Sequence, residues 1–178
     1  SKAEAILNAS CPNDPPLTPV GRLDALDKRL AAMKQAIETV EGPLAEFSSK
    51  LSSEQQKALN ALGGSDGTDA SSGLAANDLG RCVDEGEEFN GTPSQSIASA
   101  VHPDAKQKTA LTKLEMVTEQ EAEKLRAQCP HSVPATAEAR LKAMDQRLGE
   151  TITAVNAVRP ALVSFYDTLS DEQKAHFN

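Results

Sequence analysis

Apolar residues recur early in the chain at Leu23, Leu26, Leu30, Met33, Ile37, Val40, Leu44, Phe47 and Leu51. The steps alternate between three and four residues, the spacing of one face of an α-helix. The pattern predicts one long amphipathic helix, with Thr18 as N-cap and Pro19 at the first helical position. A second stripe runs through Leu141, Met144, Leu148, Val155, Val158, Leu162, Phe165 and Leu169, interrupted at Thr151. At about 30 residues each, the two helices should be about 45 Å long. Both carry a late proline, Pro43 and Pro160. Proline lacks the backbone donor and crowds the preceding turn, so a kink is expected at each.

Leu51-Ser52-Ser53-Glu54-Gln55 and Leu169-Ser170-Asp171-Glu172-Gln173 follow these stripes. Each reads as a capping box, with Ser52 or Ser170 as N-cap and Gln55 or Gln173 at the third helical position. They should open short helices over residues 53–62 and 171–178. A further helix is expected from Pro103 to Gln128, with Leu111, Leu114, Val117 or Thr118, Ala122 and Leu125 facing inward. A shorter, weaker helix is expected over Thr92–Ala100, and no segment reads as a strand. The expected fold is all-α, built of long kinked amphipathic helices in helical hairpins.

The two stripes belong to a repeat. A shift of 118 residues lays Cys11–Asn60 over Cys129–Asn178 without a gap, with 19 identities in 50 positions. Two copies of one module are therefore expected. Between them, Gly63–Gly73 is rich in Gly, Ser and Asp, the composition of a flexible linker. The expected division is a first module over 1–62, a linker over 63–78 and a second module over 79–178. Ser1–Ser10 aligns with Glu119–Gln128, the end of a helix, so further sequence is expected at both ends.

Composition narrows the function classes. The chain has 178 residues, 18 Lys and Arg against 26 Asp and Glu, and a net charge of −8. That balance excludes a binder of nucleic acid, which needs basic clusters to displace counterions. No apolar run approaches the roughly 20 residues of a membrane span. No nucleophile elbow, phosphate loop or Ser/His pairing suggests catalysis, and no cofactor is expected. His102, His131 and His176 are scattered, without the clustering a zinc or nickel site requires. The acidic run Asp84–Glu88 lacks calcium-loop spacing and reads as a solvated loop.

The segments Val101-His102-Pro103-Asp104, Cys129-Pro130, Arg140-Leu141, Arg159-Pro160-Ala161-Leu162 and Leu169-Ser170-Asp171-Glu172-Gln173 occur in that order. Together they resemble the Spy/CpxP-type LTxxQ proteins of Gram-negative envelopes, with Ser in place of the motif's Thr. The resemblance covers residues 82–178 well and 1–62 as a diverged copy. It implies residence in the periplasm, an all-α hairpin fold and no enzymatic chemistry. It implies a disulfide between Cys82 and Cys129, which match the paired cysteines of similar members; free buried thiols are the other reading. Cys11 is the copy of Cys129, and its partner is expected in sequence upstream. The chain departs from the family in its tandem copy and its acidity.

The resemblance implies an ATP-independent chaperone or an envelope-stress adaptor that binds unfolded or specific envelope proteins. A structural subunit of an envelope complex and a metal-stress sensor are the alternatives. Thin helical layers cannot bury apolar residues on both faces, so Leu44, Phe47, Leu162, Phe165 and Tyr166 are the candidate client surface. The two copies could pack as an intramolecular pseudo-dimer, or the chain could form a homo-oligomer.

Overall fold

The computed structural model describes residues 1–11, 16–62, 93–129 and 134–178. Among these it contains seven helices and no strand. They are α1 (Lys2–Ala9), α2 (Pro19–Ser49), α3 (Ser53–Ala61), α4 (Pro93–Val101), α5 (Ala105–Ala127), α6 (Ala137–Asp167) and α7 (Asp171–Phe177). The fold is all-α. The linker at 63–78, Cys82, the acidic run and His131 lie outside the described residues.

The bounds of α2 and α6 differ by 118 at both ends, the shift found in the sequence. Local chemistry sets these ends. Thr18 Oγ1 accepts from the Gly21 N–H at 3.0 Å, and Thr136 Oγ1 from the Ala139 N–H at 3.1 Å. Each satisfies one of the amides that a helix start leaves unpaired. Both helices run unbroken through their prolines. The helix over 103–128 begins two residues later than expected, because Asp104 caps it from outside.

α2 packs on α6, and each has a second neighbour: α1 lies on α2, and α5 on α6. Leu30, Ile37 and Leu148 form the buried centre between the two long helices, flanked by Met33, Leu141, Met144, Ile152 and Val155. Burying each large aliphatic side chain stabilises the pair by roughly 1.5–3 kcal/mol. A helix between two neighbours has a second buried face, and alanines occupy it: Ala32 and Ala36 on α2, Ala154 and Ala161 on α6. Small side chains at such positions let backbones approach closely.

The cross-contacts fix an antiparallel arrangement. Lys34 meets Asp145, whereas Asp24 and Asp27, earlier on α2, meet Arg159, later on α6. Equivalent residues of the two copies make equivalent contacts. Leu30 and Leu148, related by the shift, share one core. Arg140 Nη2 donates to the main-chain oxygen of Asn60 at 3.0 Å, and its counterpart Arg22 donates to that of Asn178, the counterpart of Asn60. Each arginine also holds a carbonyl before its own helix, Leu17 O at 3.3 Å or Ala135 O at 3.2 Å. The end of each copy's short helix is thus pinned to the start of the other copy's long helix.

The charged contacts do not repeat. Lys34 Nζ donates to both Asp145 oxygens, at 2.6 and 2.8 Å. The hydrogen bond to Asp145 holds the Lys34 ammonium above its ordinary value of 10.5. Because the folded value is raised, its stabilising effect is complete below about pH 10.5 and is lost as pH rises through the folded value. The stability gap between wild type and Asp145→Asn should therefore narrow as urea denaturation is repeated at rising pH above that point. Arg159→Glu should lower stability at neutral pH by about 1 kcal/mol, the scale of a partly exposed pair. Combining it with Asp24→Arg should recover most of the loss in the same denaturation.

Candidate functional site

The two Leu-Ser-x-Glu-Gln segments lie just after the long helices. In the second copy, Ser170 Oγ accepts from the Gln173 N–H at 3.2 Å, and Gln173 Oε1 accepts from the Ser170 N–H at 2.9 Å. In the first copy, the corresponding distances for Ser52 and Gln55 are 3.3 and 2.9 Å. Both capping boxes form as the spacing predicts. Leu169 is buried, and Leu51 is half-buried.

A capping box uses only the acceptor oxygen of the glutamine. In the second copy the amide nitrogen has separate work. Gln173 Nε2 donates to the Val101 carbonyl, the end of α4, at 2.8 Å, and to Gln107 Oε1 at 3.0 Å. Gln107 answers in kind, donating to Gln173 Oε1 at 2.8 Å and to the Thr168 carbonyl at 2.8 Å. Gln107 is itself the third residue of a capping box: its Oε1 accepts from the Asp104 N–H at 2.9 Å. Two helix starts are thus locked together through a pair of side-chain amides. Each nitrogen makes two bonds, and each oxygen accepts two. Gln107 is buried, and full pairing removes the penalty of burying a polar amide.

The sequence reading missed Gln107. Asp-x-x-Gln at 104–107 is a capping-box signature, and that signal was available. The pairing with Gln173, 66 residues away, has no local signal.

The clasp seals a core of Val101, Leu111, Leu114, Ala161, Phe165 and Leu169. Phe165 is wholly buried. The Phe177 ring meets it edge-on at 5.8 Å, and lies 6.1 Å from Tyr166. The expectation that Phe165 belongs to an exposed client patch is therefore corrected. α4 and α5 lie over that part of α6, and Leu162 and Tyr166 pack at the edge of the same core.

The first copy differs. Phe47, the counterpart of Phe165, is 53% exposed, and Val40 is 40% exposed. Leu44, Leu51 and Leu59 are half-buried. Among the described residues nothing plays the part of α4 over this face. Gln55 Nε2 has no hydrogen-bond partner among them either, although its oxygen completes the capping box.

The remaining expected sites are less developed. Cys129 is disulfide-bonded, and Cys11 is an exposed free thiol. His102 is exposed at the turn between α4 and α5, at φ 45°. Among the described residues no group of three or more His, Cys, Asp or Glu side chains is placed to hold a metal ion. No helix there is long and apolar enough to cross a membrane.

The fold and motif define a class: an all-α protein of helical hairpins, each long helix followed by a Leu-Ser-x-x-Gln capping box. The family model for LTXXQ motif family proteins matches residues 1–63 and 90–178, and the chain belongs to that family. No curated protein and no solved structure matches the chain significantly.

The clasp gives the Gln173 amide nitrogen a role that a glutamate could not fill. Glutamate would serve the capping box equally well but has no N–H to give Val101 O or Gln107. Gln173→Glu should keep α7 capped yet lower stability by about 2–3 kcal/mol, by leaving buried acceptors unpaired. Chemical denaturation measures the loss, and Gln55→Glu in the first copy should change stability by less than about 0.5 kcal/mol.

Proposed function

We propose that the protein is a noncatalytic periplasmic protein of the Spy/CpxP type that holds other proteins on the open apolar face of its first copy. The face comprises Val40, Leu44, Phe47 and Leu51. One observation carries this reading. The same position of the same repeat is Phe165, wholly buried, in one copy and Phe47, half in water, in the other. A cluster of exposed apolar side chains on a helix marks a surface that binds something apolar.

Family membership supports the periplasmic assignment, as Spy/CpxP-like members typically reside there. We further propose that Cys82 is the partner of Cys129, since disulfides persist in that oxidising compartment. Closing a loop of about 47 residues would stabilise the fold by about 4 kcal/mol in the chain-entropy account. The two copies act as an intramolecular pseudo-dimer, a reading supported by the matching Arg22–Asn178 and Arg140–Asn60 contacts. The packed second copy serves as the platform and the first presents the binding face.

The test is suppression of aggregation of an unfolded substrate protein without ATP. Wild type in several-fold excess should suppress light scattering. The Val40→Ser/Phe47→Ser variant should lose most of that effect while keeping its helical content by circular dichroism. No suppression by wild type would reject the chaperone reading.

A further inference from the structure

The two helices that cover the second copy's core are held very differently. Along α4, Val101 is the one buried side chain among those described; Ile97 and Ala98 are half-buried, and Gln95, Ser96, Ser99 and Ala100 face water. The helix packs mainly on α7 and touches α5. At this length a helix does not persist in water without its packing. Its end is held by one directional bond, from Gln173 Nε2 to the Val101 carbonyl at 2.8 Å. Ser94 Oγ donates to Glu115 Oε1 at 2.6 Å, but at the surface, where water competes for both groups. His102, the next residue, stands at φ 45°, a left-handed conformation that a residue with a Cβ disfavours. Undocking of α4 lets it relax.

α5 is fixed along its length. Gln107, Leu111, Leu114 and Glu121 are buried on it. Near its end Arg147 Nη1 donates to the Leu125 carbonyl at 2.7 Å, and Cys129 just beyond is disulfide-bonded. Gln107 donates to Gln173 and to the Thr168 carbonyl, and neither acceptor belongs to α4. The polar knot therefore divides unequally. Releasing α4 gives up one bond of the knot and the burial of Val101. Releasing α5 gives up the rest of the knot and most of the core. The core between α2 and α6 is a separate cluster and shares no buried residue with this one.

We propose that α4 is a latch. It leaves α7 by movement of the turn at 102–104, while α5, α6, α7 and the contact between α2 and α6 stay folded. The bond from Gln173 to Val101 sets how often it opens. Each release bares the side of the core that Val101 fills, in the cluster with Leu111, Phe165 and Leu169. The second copy thereby gains an apolar surface that it hides when closed. Elements with few buried contacts are the ones that open locally, ahead of global unfolding. The latch goes beyond the reading of the first copy's face as a client surface and does not rest on it.

Native-state hydrogen exchange on the 178-residue chain, without any client, tests it. The hydrogen-bonded amides at 97–101 should exchange at least about a hundredfold faster than the most protected amides of α6. Gln173→Glu should speed exchange at 97–101 about tenfold, since the capping box of α7 survives and the donor to Val101 is lost. Simple fraying of a short helix would be indifferent to that change, and indifference overturns the proposal. Ile37→Val, in the core between the long helices, should speed exchange of the protected α6 amides about fivefold. It should leave 97–101 unchanged, because that core persists in the open state. Arg159→Glu gives the same comparison through the charged contact. Protection of α6 reports that each variant is folded. Equal protection of α4 and α6, or equal acceleration of both by Ile37→Val, would mean that α4 leaves only on global unfolding and would also overturn the latch. Loss of aggregation suppression bears on the client reading alone, because the exchange is read in the absence of client.

Discussion

The paired amides of Gln107 and Gln173 decide how the second copy closes. Each glutamine caps its own helix with its oxygen and holds the other element's carbonyl with its nitrogen. An amide is the only uncharged side-chain group with two donors and an acceptor able to do both at once. The pair ties the end of α4, the start of α5, the end of α6 and the start of α7 into one knot. The apolar core lies directly beneath it, with Phe165 at its centre. Without the knot, four helix termini would meet around the core with their polar backbone groups unpaired, and burial there would be costly.

The second constraint is the contact between α2 and α6. Its apolar centre is nearly symmetric, but its charges are not. Arg159 faces Asp24 and Asp27, while the equivalent of Arg159 is Glu41 and that of Asp24 is Lys142. Two first copies packed this way would keep Lys34 against Asp27, the equivalent of Asp145, but would set Glu41 against Asp24 and Asp27. Two second copies would keep Arg159 against Asp145, the equivalent of Asp27, but would also set it against Lys142 and put Ile152 where Lys34 stands. The full set of opposite-sign pairs seen between α2 and α6 forms only when a first copy meets a second. Such charge patterning selects partners more than it adds stability, because exposed pairs contribute little. The net charge also reads differently in this light. Residues 1–60 carry 7 basic and 8 acidic groups and 119–178 carry 7 and 9, so −5 of the −8 lies between the copies. The acidity is not a property of the packed helices.

Much of this was legible in the sequence, for local reasons. The three-four stripe, Thr18 and the Ser-x-x-Gln boxes are short-range signals, and the helices start where those caps lie. Proline at 43 and 160 marks where a kink rather than a break is expected, and each helix does continue through it. What escaped was long-range. Ala36 and Ala154 are buried because each long helix has two neighbours, and an alanine off the main stripe carries no signal of which side it faces. Phe47 and Phe165 occupy the same register, so no periodicity could separate the exposed one from the buried one. That difference depends on α4 and α5, which pack on α6 and α7, whereas among the described residues no such pair covers Phe47. The Gln107–Gln173 pair is illegible for the same reason: each box looks complete by itself.

The inequality of the two copies is what makes a binding role physically reasonable. A single exposed Phe is ordinary on a protein surface. An exposed Phe within a stripe whose duplicate forms a sealed core is a different matter, because the sequence pattern around it is already suited to receiving helices. Covering Phe47 and Val40 would contribute on the order of 1–2 kcal/mol each, since both are already partly covered. Ordering a flexible client consumes much of that gain. Any binding on this face would therefore be moderate and reversible. In the second copy the covering helices belong to the same chain, so their docking has no such association cost.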